Sequence, residues 1–123
     1  MIFDTDVLIW ALRGNDKAAD AIEAEDVRAV SVVSRMELFQ GARDKREQAT
    51  IRRFLQEFET LPLTERIGHR ASIYVEEHAL KSGLELADAL IAATAAERGE
   101  TLCTGNGHHY RAIAELELRA FRP

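Results

Sequence analysis

Cysteine occurs once in the 123 residues, as Cys103. A lone thiol can form no internal disulfide and no cysteine-rich zinc site, so a reducing compartment is the simplest home and a cytoplasmic location is expected. Within Thr101-Leu102-Cys103 the thiol reads as a small buried hydrophobe, not a reactive group. Long apolar runs are also missing. Met1-Ile2-Phe3-Asp4 reaches an acid within four residues, so neither a signal peptide nor a membrane partner is expected. Positive charge is in short supply, with 16 Lys and Arg against 21 Asp and Glu and a net charge of −5. The bulk field therefore repels nucleic acid, and any polyanion must find a local basic patch. Only two prolines and seven glycines punctuate the chain, which leaves little room for linkers, and no internal repeat or low-complexity tract is visible. A chain of this size buries roughly two thirds of its unfolded surface. With 46% hydrophobic and 30% charged residues, one domain over 1–123 is expected.

What is present alternates between strand and helix patterns. Ile2-Phe3 is a clipped strand ending at Asp4, followed by an apolar helix over 7–12 that stops at Arg13-Gly14. Asn15 is a good cap for a second helix to about residue 25. The β-branched stretch 27–33 predicts a buried strand broken at Ser34. From Asp44, the spacing of Ile51, Phe54, Leu55 and Phe58 puts four apolar side chains on one helix face. Leu61-Pro62-Leu63 is extended, and Thr64 caps a helix to Lys81 that Gly83 stops. Ile67, Ala71, Tyr74 and His78 share its inner face, with His78 a half-buried histidine and not a ligand. Residues 86–98 are expected to form the most buried helix, stopped at Gly99. A strand over 101–104 follows, and then a half-exposed edge strand in which Leu116, Leu118 and Ala120 alternate with Glu117, Arg119 and Phe121. This order implies an α/β sandwich around a mostly parallel sheet.

In such a sheet, ligands gather at the carboxyl ends of the strands. Three acids fall at junctions of this kind: Asp4, Glu37 in Met36-Glu37-Leu38-Phe39, and Asp88 in Leu86-Ala87-Asp88-Ala89. Their flanks are too apolar for solvated faces. A buried carboxylate costs several kcal/mol of desolvation, which a cation can offset for all three at once. Each acid also has a structural reading. Ser34-Arg35-Met36-Glu37 fits a capping box, Asp88 suits a helix start, and Asp4 or Asp6 can cap the first helix.

Four blocks in order resemble the PIN-domain ribonucleases, and within them the VapC-type toxins of toxin-antitoxin pairs. They are Ile2-Phe3-Asp4-Thr5-Asp6-Val7-Leu8-Ile9, Ser34-Arg35-Met36-Glu37-Leu38, Leu86-Ala87-Asp88-Ala89-Leu90-Ile91-Ala92, and Leu102-Cys103-Thr104-Gly105-Asn106 followed by His109-Tyr110. The resemblance covers the whole chain. It implies a three-layer α/β/α sandwich, and a Mg2+ or Mn2+ ion held by Asp4, Glu37 and Asp88 for hydrolysis of RNA phosphodiesters. It further implies that Asp6 holds a metal-bound water or a second ion, and that Asn106 orients Asp4 or a metal water with Thr104 beside it. A cognate antitoxin and a homodimer are the implied protein partners. One departure stands out, because no acid occupies the position of His109 where many members carry one.

The same acids leave other readings open. Asp4-Thr5-Asp6-Val7 also resembles the nucleophile motif of haloacid dehalogenase-like phosphatases, but no paired acids follow the strand at 101–104. A PIN-like fold that only binds is the third reading. From Arg35 to Arg53, six basic residues face three acids, a local surplus of three, and Arg35 is best placed to hold a phosphate. Gly105 and Gly107 read as a tight turn, and His108 and His109 as exposed loop histidines.

Overall fold

The pattern resolves into five short strands, four of which feed a helix at their carboxyl end. The computed structural model describes all 123 residues. In chain order the elements are β1 (Ile2–Phe3), α1 (Thr5–Leu12), α2 (Asp16–Glu23), β2 (Ala29–Ser31), α3 (Val32–Gln40), α4 (Lys45–Leu55), β3 (Glu59–Leu61), α5 (Glu65–Ser82), α6 (Leu86–Arg98), β4 (Leu102–Thr104), α7 (Gly107–Tyr110) and β5 (Leu118–Ala120). All strand pairs are parallel, in the order β3-β2-β1-β4-β5. The register sets Phe3 against Cys103 and Ile2 against Leu102, so β1 and β4 end side by side.

Strand alternation divides the core into two halves, because successive side chains leave opposite faces. Ile2, Ala29 and Leu102 pack with Ile67, Ala71 and Tyr74 of α5, the alanine-rich face of α6, and Tyr110. Phe3, Val30 and Cys103 point the other way, onto Val7 and Leu8 of α1, Ile22 of α2, and Ile51 and Leu55 of α4. Helix α3 spans both halves, giving Val33 to the first and Leu38 to the second. The result is the expected three-layer α/β/α sandwich. Burial raises the Cys103 thiol to about 11, so it behaves as the inert hydrophobe that its sequence context implies. His78 is half-buried beside Tyr74, also as expected. No helix is long and apolar enough to cross a membrane.

Several local expectations are corrected. Strand β2 ends at Ser31, not at Val33, because the Ser31 hydroxyl accepts from the Val33 amide at 3.0 Å and starts α3 there. Val32 and Val33 are therefore helical despite their β-branching, since the tertiary setting overrides a weak propensity. Ser34 lies inside the helix at 0% exposure and caps nothing, so the capping box with Glu37 does not form. Near the acids, Met36 is 53% and Leu86 is 69% exposed, so those flanks are less shielded than their apolar character suggests. In the tail, Phe121 is buried against the α1 side while Ala120 is exposed, which reverses the expected alternation at that end. The segment after Asn106 is a short helix, not a plain loop.

Candidate functional site

The site grows from the paired ends of β1 and β4. Asp4 follows β1 and donates its amide to the Cys103 carbonyl at 2.9 Å, which brings its side chain beside Thr104. Asp4 is only 4% exposed. Its Oδ1 accepts from the Thr5 amide at 2.8 Å, the cap that starts α1. Its Oδ2 accepts from the Thr104 hydroxyl at 2.7 Å and lies 3.0 Å from the Tyr110 hydroxyl. Burial, reinforced by the charge of Asp6, outweighs these donors and raises the Asp4 carboxyl to about 6.

The other acids join through short links. Asp88, in the first turn of α6, has Oδ1 3.2 Å from the same Tyr110 hydroxyl, while its Oδ2 accepts from the Glu85 amide at 3.2 Å. That Oδ2 also lies 3.2 Å from Nδ1 of His109. Asp6 accepts from the Gly105 amide at 2.8 Å and from the Val7 amide at 2.9 Å, and burial raises its carboxyl as well. A Cβ on Gly105 would stand 2.5 Å from Asp6 Oδ2, so a side chain there would push the Asp6 carboxylate off the Gly105 amide. Glu37 is exposed, and its Oε1 accepts from the Thr5 hydroxyl at 2.7 Å, with Ser34 Oγ 2.8 Å from that same hydroxyl. Thr5 thus touches Asp4 with its backbone and Glu37 with its side chain.

Asn106 reaches the site through its backbone, donating its amide to Thr104 Oγ1 at 2.9 Å. Arg35 lies elsewhere on α3, its guanidinium carbon 4.9 Å from the centre of the Phe39 ring and engaged with no acid. Asp4, Glu37 and Asp88 are therefore linked through Thr5 and Tyr110, with Asp6 held apart by Gly105 and Val7, but the acids do not close into a group of three or more side chains ready to hold a metal ion.

Two residues in this network lie within segments that carry the resemblance, but their types alone assign them no role. Thr5 is an ordinary residue at a helix start, and Tyr110 is an apolar-looking ring at the end of a polar segment. A hydroxyl on the first residue of α1, or a tyrosine just beyond the glycines, becomes informative only once β1, β4 and α6 meet. The Tyr110 phenol is pushed far above its ordinary range by burial and by the charges of Asp4 and Asp88, so it stays protonated.

The PIN domain family matches residues 1–116. Among solved structures, a chain of a toxin-antitoxin complex from Klebsiella pneumoniae is 29% identical, with a TM-score of 0.81 over 94% of this chain and 93% of that one. A chain of DNA-bound VapBC from Salmonella typhimurium has a TM-score of 0.85 at 21% identity, covering 97% and 96%. A chain of VapBC2 from Rickettsia felis, bound to a promoter DNA fragment, has a TM-score of 0.83 at 21% identity and covers 99% and 100%. At that identity the last two establish the fold alone. No curated protein sequence matches the chain.

Proposed function

The chain belongs to the PIN-domain family, and from that premise we propose that it is the toxin of a toxin-antitoxin pair, a divalent-cation-dependent ribonuclease silenced by a cognate antitoxin. Residues 1–123 form its single nuclease domain, acting in the cytoplasm on phosphodiester bonds of RNA. The likeness to a toxin-antitoxin complex over nearly the whole chain supports the partner. A homodimer belongs to the same reading, since Leu80 and Leu86 stand exposed near the α5–α6 connection.

The observation that carries the chemistry is the convergence of Asp4 and Asp88 on one buried hydroxyl, with no lysine or arginine paired to Asp4, Asp6, Glu37 or Asp88. Apart from His109 beside Asp88 the acids have no basic partner, and burial raises the Asp4 carboxyl to about 6. The donors are all hard oxygens, which suits Mg2+ or Mn2+ and no soft metal. Asp4, Glu37 and Asp88 would hold the ion, and Asp6 would serve its periphery. When bound, such an ion lowers the pKa of water and offsets the charge that develops on a phosphodiester.

The chain's own groups set the arrangement. Thr104 and the Thr5 amide orient Asp4, the Thr5 hydroxyl aims Glu37, and the Gly105 amide holds Asp6. Arg35, kept against Phe39, leaves the acids unneutralised and offers its guanidinium to a phosphate. Expression of the wild-type chain without a partner should arrest growth, whereas Asp4→Asn, Glu37→Gln and Asp88→Asn should each be harmless. Growth arrest of equal strength by folded Asp4→Asn protein would reject the nuclease reading.

A further inference from the structure

No other side chain lies within hydrogen-bond distance of two of the site acids, as the Tyr110 hydroxyl does. Its ring is 0% exposed and sits in the core cluster with Ile67, Ala71, Tyr74 and the α6 alanines. Packing of the ring therefore fixes where the hydroxyl lies. That oxygen is 3.0 Å from Asp4 Oδ2 and 3.2 Å from Asp88 Oδ1, on elements from opposite ends of the chain. A phenol carries one proton, so the hydroxyl donates to one carboxylate at a time, and it stands as the shared donor between two acids that would otherwise face each other. His109 meets Asp88 at the other oxygen, Oδ2, and does not replace this link.

We propose that Tyr110 is a positioning residue that tethers Asp4 to Asp88 and so sets the affinity of the site for its divalent cation. The proposal rests on reading these acids as cation ligands. Groups that orient ligands by hydrogen bonds commonly govern metal affinity by 10- to 100-fold, roughly the range expected here. A tether fixed by a buried ring does this without touching substrate.

Tyr110→Phe keeps the ring in the core and removes only the hydroxyl. Titration calorimetry with Mn2+ alone should show a dissociation constant raised roughly 10- to 100-fold, with unfolding still cooperative. Cleavage of RNA by the variant should fall at low Mn2+ and recover as Mn2+ is raised. In the wild type, Mn2+ should perturb the near-ultraviolet absorption of tyrosine. Only Tyr74 remains in Tyr110→Phe, and the perturbation should vanish there. Unchanged or tighter Mn2+ binding by Tyr110→Phe overturns the tether. If that variant does not fold, a wild-type tyrosine spectrum indifferent to Mn2+ overturns it equally. Failure of the underlying reading looks different, because Asp4→Asn would then bind Mn2+ as well as the wild type does.

Discussion

Asp4 shows how a single side chain can be placed against its own charge. Its carboxyl is raised to about 6 in the fold, against about 3.9 in the unfolded chain. Between these values the folded state binds more protons than the unfolded state. The stability associated with the proton is full below the unfolded value and is lost as pH rises through about 6. A shift of this size is worth about 3 kcal/mol. Thermal unfolding in the presence of a chelator should therefore show wild-type stability falling between about pH 4 and pH 6, and Asp4→Asn should flatten that slope. The variant should also be more stable than wild type at neutral pH, because its amide can donate to the Thr104 and Tyr110 hydroxyls. Equal slopes for the two proteins would show that Asp4 is not the group held out of water.

At the scale of elements, the stops of α5 and α6 were readable, whereas the end of α4 at Leu55, short of Phe58, and the start of α3 were not. Gly83 and Gly99 end α5 and α6 with φ of 67° and 63°, the left-handed geometry that glycine adopts without strain. Asn15, Asp44 and Thr64 cap their helices through side-chain oxygens, as their types imply. The cap of α3 is Ser31, which the strand pattern had absorbed, and not Ser34, which the capping-box spacing favoured. Only the parallel pairing of Ser31 with Leu61 fixes where β2 ends. Ser31→Ala should thus cost about 1 kcal/mol of stability as a lost cap, measured by denaturant unfolding. Ser34→Ala should instead act through Thr5 and Glu37, the groups it neighbours. A stability loss confined to Ser34→Ala would contradict this placement of the cap.

Asp4 and Asp88 were legible at the junctions of clear elements, whereas Glu37 lies inside α3 and is linked to Asp4 only through Thr5. The hydroxyl partners of these acids were not legible, since Tyr110 meets Asp4 across 106 positions of sequence. For the whole molecule, the consequence is an anionic centre in a chain that is already anionic at −5. The proposed RNA substrate would therefore have to be held by local cations against the general field. A groove bordered by Glu37 is lined by Arg13, Arg43 and Arg46. Arg43 is paired with Glu47 at 2.8 Å, whereas Arg13 and Arg46 have no acidic partner. Replacing Arg13 and Arg46 together by alanine should weaken RNA binding and lessen its dependence on salt, as read by fluorescence anisotropy, while Mn2+ binding stays unchanged. Undiminished RNA affinity would place the RNA elsewhere. The most direct measurement of the central claim is cleavage of single-stranded RNA by purified wild type, Asp4→Asn and Asp88→Asn, with Mn2+ and with chelator. The account predicts cutting by the wild type with Mn2+ only, and none by either folded variant. Cutting in chelator, or by a folded variant at the wild-type rate, would contradict it.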